Sequence, residues 1–506
     1  MNRKHTRLKR WVAHARRRAA HARRFFRGAI GRPLSNGRQD KAAATMRELA
    51  ALAWPIAAGM LGDTLLGLVD TKLVGGLGPA ALGGVGMATT LLFLNYSLIF
   101  GLMRAVKVRT SFAVGEERPE DGVRYAITGA VLGAAVGSVV WAIGRDMSGL
   151  LVLLRLDAQL IPFARDFFAA VTYGAPAAGA LLALVNHRQA LGDVRTPMVV
   201  GIGGNVVNAF LAYGLIYGHW GLPRLGVAGS GFATAATQWT ELSVMALLLA
   251  KSMKRAPLPT QAGSKRAPRP RIAYRECVRE LLGIGVPGGL QMAGELLAFN
   301  AFAAILGSIG AAEMAAHQIA LVTIRTSFLP GIAVGEASCI LVGRALGRGR
   351  LSEADRANRA AITLAVGFMA SCGVVFGLFG GAIAHGFTSD GEVATIARKL
   401  LLVAALFQVL DAFNVVLRGS LRGAEDVRVP AFLGIAIVWT CVPTAAFFLG
   451  KLAGWGALGG WCGFLGETIL STILFGRRWS RGAWRRKYAA TEAEKDAPPL
   501  GVPVSG

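Results

Sequence analysis

The chain has 506 residues, of which 53% are hydrophobic and only 17% are charged. Soluble domains carry about a quarter charged residues. Apolar runs of about 20 residues, the length that spans a bilayer, recur along almost the whole chain. This composition excludes a soluble globular protein and indicates an all-α polytopic membrane protein. The net charge of +26 lies mainly in the tails and connections, so we interpret it as a signal of membrane orientation and not of nucleic-acid binding.

The apolar runs predict twelve transmembrane helices. In chain order they cover residues 49–76, 80–108, 123–145, 160–187, 196–218, 226–251, 278–307, 313–343, 357–383, 394–418, 429–450 and 455–476. Arginine is richer in every second connection, and the positive-inside rule then places both termini in the cytoplasm. The predicted location is therefore the cell (inner) membrane, which the chain crosses many times.

Three polar segments flank and divide the apolar runs. Residues 1–47 form a basic tail, which either lies on anionic lipid as an amphipathic helix or precedes a true start at Met46. The linker 252–275 and the tail 477–506 are also predicted to be cytoplasmic. The five cysteines show neither CxxC nor Cys/His spacing, so no zinc site or disulfide scaffold is indicated.

The two halves of the chain repeat one another. The segment GDVRTP at 192–197 matches EDVRVP at 425–430, and three further landmarks repeat at nearly the same offset. This near-constant offset predicts two six-helix lobes, 48–251 and 276–476, with the linker between them. Transporters built from parallel repeats hold their substrate between the repeats near the bilayer midplane, so the repeat favours a transporter over a purely structural bundle.

Carboxylates interrupt several predicted spans. Each costs ~2.5–3.5 kcal/mol at the centre of a span, which makes a functional role the default hypothesis. Asp63 and Asp70 are seven positions apart, so they share one face of the first helix. Glu295 lies at the repeat position equivalent to Asp63, and Asp411 lies deep in the tenth helix. We predict that these four couple transport to an ion; packing against an intramembrane arginine is the alternative.

The coupling ion is left open between H⁺ and Na⁺. Burial favours the protonated form of a carboxyl group, which suits proton exchange. Glu295 and Asp411 are also candidate metal ligands, because paired carboxylates with nearby carbonyls bind hard cations such as Na⁺. No other cofactor is predicted.

Other polar side chains in the spans are candidates for substrate binding. They are Asn205, Asn208, Gln318 and Arg325. Arg325 either pairs with Glu295 or Asp411 or extends toward a membrane interface.

Three basic residues have two interpretations. Arg104 and Lys107 are neighbours near the predicted cytoplasmic end of the second helix, where long cationic side chains reach the headgroups. Together with Lys72, they would alternatively form a basic vestibule that attracts an anionic substrate.

Several motifs together carry a family resemblance. The segments LVDTKLVGGLGPAALGGVG, QALGDVRTP, AAHQIAL, LVGRALGRG and VLRGSLRGAEDVRVP, in this order, resemble the multidrug and toxic compound extrusion (MATE) family. The resemblance covers about 49–476. It implies a twelve-helix antiporter, V-shaped, with two six-helix lobes, which exports organic and often cationic compounds in exchange for protons or sodium ions. Its expected partners are a small-molecule substrate and the lipid bilayer, and the expected state is a monomer.

The resemblance also implies roles for individual residues. Asp70 matches the aspartate of the first helix that family members use for proton coupling and cation contact. Asn208, with Asn205, matches the amide region that hydrogen-bonds this aspartate. Glu295 and Asp411 match the carboxylates of the second lobe implicated in cation binding.

Alternative functions come from different classes. An exporter of anionic organic metabolites would use the basic residues named above. A lipid-linked precursor flippase of the same superfamily typically carries two further helices, for which no sequence follows the twelfth run. An enzyme is not predicted, because the sequence shows no Ser/His/Asp cluster, HExxH motif or P-loop.

Overall fold

The structure is a computed structural model, which describes residues 36–144, 157–255 and 272–496. Within these ranges the chain forms helices and short connections, with no strand. The helices are α1 (Asn36–Gly75), α2 (Pro79–Gly115), α3 (Pro119–Gly144), α4 (Ile161–Ala190, with a short 3₁₀ turn inside it), α5 (Arg195–Tyr217), α6 (Val227–Arg255), α7 (Tyr274–Ile309), α8 (Ala311–Gly347), α9 (Leu351–Phe387), α10 (Gly391–Gly423), α11 (Arg428–Leu452, with a π-helical end), α12 (Gly456–Arg481) and α13 (Ala483–Asp496).

These elements confirm the predicted fold class. Among the described residues, eleven helices are long and apolar enough to cross a membrane. The remaining long helix, α6, has 29 residues and packs against α4 and α5 inside the first lobe. Each of the twelve predicted runs therefore corresponds to one long helix. Prolines at the repeat positions lie inside α1 (Pro55) and α7 (Pro287).

The apolar cores show how the two lobes meet. One core lies only in the first lobe and includes Val74 and Phe168, while a second lies only in the other lobe and includes Phe302 and Trp461. A third core contains residues of both lobes: the start of α1 and the end of α2 pack against α8, α9 and α10. This core lies at one end of the molecule, which we call the joined face. The helices therefore diverge from a joined face, which the arginine bias predicts to be cytoplasmic, and form a V.

Glycines allow the two lobes to touch directly. Gly101 of α2 lies against the backbone of Gly289 of α7, so a Cβ atom at Gly101 would overlap it. Closer to the joined face, Gly115 lies against the carbonyl of Arg344 in the same way. Small residues at helix crossings let backbones approach closely in membrane proteins. Here these glycines let α2 of the first lobe contact α7 and α8 of the second lobe directly.

The end of the chain differs from the predicted tail that starts at residue 477. Helix α12 continues to Arg481 and is followed by α13, whose Trp484 and Tyr488 are buried. These two aromatic residues are four positions apart, so they share one helix face. The Tyr488 ring lies 5.8 Å from the Phe112 ring of α2. The predicted helix of the N-terminal tail falls almost entirely outside the described residues, as does most of the linker 252–275.

Candidate ion-coupling and substrate site

The first lobe holds a carboxylate–amide contact between α1 and α5. The Nδ2 atom of Asn205 donates to Oδ1 of Asp63 at 3.3 Å, and Asp63 is exposed. Gly62 has no side chain, and a Cβ atom there would lie only 3.3 Å from Nδ2 of Asn205, so this glycine lets α1 lie close to the amide. The structure therefore brings together two of the residues that the sequence singled out.

A third polar group of this region, Glu241 on α6, was missed in the sequence analysis. Its carboxylate lies against Gly204 of α5, where a Cβ atom would overlap it. It is also close enough to Asp63 for the two charges to interact. The same rule that identified Asp63, a carboxylate inside an apolar run, applies to Glu241 in the segment TELSVMALLLA. We call Asp63, Asp70 and Glu241 the N-lobe carboxylates.

Asp70 lies two turns further along α1 and is half-buried. Among the described residues, its Oδ1 atom is buried and accepts no hydrogen bond. Asn208, which was expected to hydrogen-bond this aspartate, donates instead to Oγ1 of Thr234 on α6 at 3.2 Å. The Oδ1 atom of Asn208 is itself buried without a partner in the described part of the chain. The expected Asp70–amide hydrogen bond is thus replaced by contacts of both amides with other residues.

The second lobe holds carboxylates of a different kind, grouped around Arg418 of α10. Its Nη1 donates to Oε1 of Glu295 on α7 at 2.6 Å, and its Nη2 lies 3.4 Å from Oε1 of Glu467 on α12. Its Nε donates to Oδ1 of Asn414 one turn earlier, at 2.9 Å. The Arg418 side chain is only 18% exposed. The partner of Glu295 is therefore Arg418, and not Arg325 as one interpretation of the sequence expected.

Asp411 belongs to the same group. It is 8% exposed and interacts electrostatically with Arg418 and Glu467. Glu295 and Asp411 thus both interact with Arg418, and Glu467 joins them; sequence reasoning missed Arg418 and Glu467. We call Glu295, Asp411 and Glu467 the C-lobe carboxylates.

Two basic residues of the second helix cross the boundary between the lobes. Glu336 of α8 lies 2.6 Å from Nζ of Lys107, 3.3 Å from Nη2 of Arg104 and 2.7 Å from Nη1 of Arg422 on α10. The expected extension of Arg104 and Lys107 to the headgroups is wrong for Lys107, whose side chain is 4% exposed. A carboxylate on the other lobe binds it instead.

The other predicted polar residues do not join these groups. Gln318 and Arg325 are exposed on the half of α8 that lies away from the joined face, and Lys72 is exposed at the end of α1. His317, beside Gln318, is buried and accepts a hydrogen bond from the Trp461 indole at 3.3 Å.

At the joined face, a charged turn between α10 and α11 links the lobes. Glu425 forms ion pairs with Arg109 of α2 and Lys487 of α13, and the Tyr488 hydroxyl donates to it at 3.1 Å. Burial acts to raise the pKa of Glu425, but the two cations hold this pKa below its usual range. The turn therefore fastens the first lobe and α13 to the second lobe.

Comparison with known proteins supports this architecture. The MatE family model matches residues 55–214 and 287–446, so its two matches begin at the two repeated prolines. A "Probable multidrug resistance protein NorM" of Xanthomonas campestris pv. campestris is 32% identical over 443 residues, which cover 88% of this chain and 95% of that protein.

Solved structures share the fold. The crystal structure of the eukaryotic MATE transporter AtDTX14 superposes with a TM-score of 0.76 at 20% identity, over 90% of this chain and 99% of that one. An outward-facing conformation of a multidrug resistance MATE family transporter of the MOP superfamily gives a TM-score of 0.75 at 19% identity, over 89% and 97% of the two chains.

Two six-helix lobes that diverge from a joined face, with charged side chains inside the spans, define a polytopic membrane transporter. The family match over both lobes makes the assignment specific. The chain belongs to the MatE family.

Proposed function

We propose that this chain is a multidrug exporter that exchanges organic cations for protons or sodium ions by alternating access. Its relatives named as multidrug resistance proteins cover most of its length. The exchanged ion, the antiport mechanism and the location in the inner membrane with both termini inside are parts of this proposal.

The main observation that supports the proposal is the absence of cationic partners around the N-lobe carboxylates. Within the described residues, none of Asp63, Asp70 and Glu241 forms an ion pair. An ionised carboxylate in a span is costly unless a cation, a proton or a polar cavity relieves the cost. A proton and a cationic cargo would relieve it in turn. Because only one of them is needed at a time, binding of one favours release of the other, which is the requirement for exchange.

Asp70 is our choice for the coupling group. Its Oδ1 atom is buried without a hydrogen bond among the described residues, whereas Asp63 accepts one from Asn205. Asp63, Glu295 and Asp411 are proposed to assist it. Asn205, Asn208, Gln318 and Arg325 remain proposed contacts of the substrate.

Alternating access would open the joined face. The contacts that must break there include the ion pairs of Glu336 with Lys107 and Arg104 and those of Arg109 with Glu425 and Glu280. These charges lie on different lobes, so water replaces the partners when the lobes part. The Lys107 side chain is only 4% exposed, so opening must expose this pair to water, and we propose that the pair acts as a brake on opening.

An exporter of anions receives less support. Arg104 and Lys107, which would attract an anion, are engaged by Glu336. Lys72, the third basic residue of this alternative, is exposed at the end of α1.

Transport by purified protein in liposomes tests the proposal. A pH gradient and a sodium gradient are imposed separately, and uptake of a panel of cationic and anionic compounds is measured. We expect cations to be exchanged and Asp70→Asn to lower the initial rate by roughly tenfold or more, a loss typical of a removed proton-transfer group. The control is Asp166→Asn, the same chemical change at an exposed residue of α4. Full activity of Asp70→Asn would remove Asp70 from the mechanism, and exchange of anions alone would favour the alternative exporter.

A further inference from the structure

The C-lobe carboxylates are the candidate sodium ligands, and their surroundings test that role. Oε1 of Glu295 already accepts from Nη1 of Arg418 at 2.6 Å and from Nε2 of Gln291 at 2.9 Å. Hard cations are bound by several oxygen ligands whose lone pairs point at the ion. At Glu295 the groups that point at this oxygen are N–H donors, which repel a cation.

Glu467 is surrounded in the same way. Its Oε1 accepts from Nδ2 of Asn414 at 3.3 Å and from Oγ of Ser471 at 2.9 Å, while Nη2 of Arg418 lies 3.4 Å away. Among the described residues, no three carboxylate, imidazole or thiol side chains are placed to hold a metal ion. The residues present therefore do not fit a bound sodium ion.

Arg418 has the properties of a permanent replacement for such an ion. A guanidinium group stays charged in proteins and offers five donors in a fixed plane. Its backbone lies on α10, and its Cζ lies 5.2 Å from the centre of the Phe475 ring of α12. The charge is therefore held between α7, α10 and α12, covalently attached to the chain.

The charges around Arg418 also argue against a bound sodium ion. The C-lobe carboxylates and Glu336 supply four negative charges in one connected region, and four basic side chains face them. These basic side chains are Arg104, Lys107, Arg418 and Arg422. With all eight ionised the region is neutral, so a bound sodium ion would leave an uncompensated positive charge in a buried place, which is unfavourable.

We propose that Arg418 acts as a tethered cation that occupies the coupling site of the second lobe, so that this transporter does not use sodium there. Exchange then depends on the N-lobe carboxylates and on protons. This inference rests on the proposed antiport and decides which ion drives it.

Sodium binding tests this inference independently of transport. The purified wild-type protein and the Arg418→Met variant are unfolded by heat in NaCl and in KCl of equal concentration, and binding of radioactive ²²Na⁺ is measured. The wild type should unfold at the same temperature in both salts and bind no sodium. Arg418→Met, with a side chain of similar length and no charge, should unfold in NaCl at least about 2 °C above KCl, because bound ligand stabilises the folded state.

The matched control is Arg398→Met, which removes an exposed arginine from the same helix and should behave as the wild type. Sodium binding by the wild type would overturn the inference, as would a folded Arg418→Met protein without a sodium response. If Arg418→Met does not fold, the wild-type comparison decides alone.

Transport separates this inference from the proposed function. Uptake driven by a sodium gradient in the wild type would refute the role of Arg418 and leave antiport intact. Failure of both gradients to drive uptake would refute antiport, while the sodium-binding result would still stand.

Discussion

The two lobes share a fold and a repeated sequence, but the carboxylates inside their spans have opposite electrostatic surroundings. In the first lobe, Asp63, Asp70 and Glu241 have no cationic partner within the described residues. In the second lobe, Glu295 and Glu467 both face Arg418. Equivalent positions, such as Asp63 and Glu295, therefore differ in the charge around them and not in their place in the fold.

This difference indicates a division of labour. A carboxylate that already has a permanent cation gains little from a proton or a cationic substrate, whereas an unpaired one gains much. The first lobe is thus suited to exchange. The second lobe is suited to hold helices α7, α10 and α12 in one arrangement, and to anchor Lys107 and Arg104 of the first lobe through Glu336.

Removing the central cation of the second lobe should have the largest effect on stability. Arg418→Met leaves Glu295 and Glu467 without their cationic partner, and breaking a buried ion pair by deleting one partner costs about 3–5 kcal/mol. Denaturation in a defined detergent measures the change. Adding Glu295→Gln should restore part of the loss, because it removes one of the unpaired charges. A loss no larger than that of the Arg398→Met control would mean that the two lobes do not differ as described.

An intermediate effect is expected where the lobes meet. Lys107→Met removes the closest partner of Glu336, which keeps Arg422 and Arg104. A charged hydrogen bond contributes about 1.5–3 kcal/mol, so the joined face should open more often. Hydrogen–deuterium exchange at the ends of α2 and α8 should rise, while exchange in the first-lobe core around Phe168 should not change. Unchanged hydrogen–deuterium exchange at the joined face would contradict the proposal that the Lys107–Glu336 ion pair opposes opening.

The smallest effect is expected in the first lobe. Glu241→Gln removes a charge that has no ion-pair partner in the described part of the chain, so it should not lower the free energy of unfolding by more than about 0.5 kcal/mol. The matched substitution Glu467→Gln in the second lobe should be clearly more destabilising, since it takes a partner from Arg418, Asn414 and Ser471. Equal effects of the two substitutions would abolish the contrast between the lobes.

Much of the fold could be predicted because it depends on local properties of the chain. Apolar runs of membrane-spanning length gave the helices, and the repeated segments gave the two lobes. The rule that a charge inside a span is exceptional identified Asp63, Asp70, Glu295 and Asp411. Glu241, Glu336 and Glu467 are also carboxylates inside predicted spans. The same rule therefore identifies them from the sequence, although they were not among the predicted site residues.

The partners of these residues could not be predicted. Lys107 and Glu336 are 229 positions apart, and Arg418 lies 123 positions from Glu295. Arg325 was an equally good partner for Glu295 by sequence, because both lie in neighbouring helices. Only the rotation of α8 and α10 about their axes decides which arginine faces α7.

By itself, the sequence determined that the chain spans a membrane as two matched helical lobes and that some spans carry charge, because hydrophobicity, helix period and repetition are written in neighbouring residues. The tertiary structure alone decided which charges neutralise one another and which stay unpaired. That distinction depends on distances of a few ångströms between helices far apart in the chain, and electrostatic energies in a low-dielectric interior change steeply over such distances.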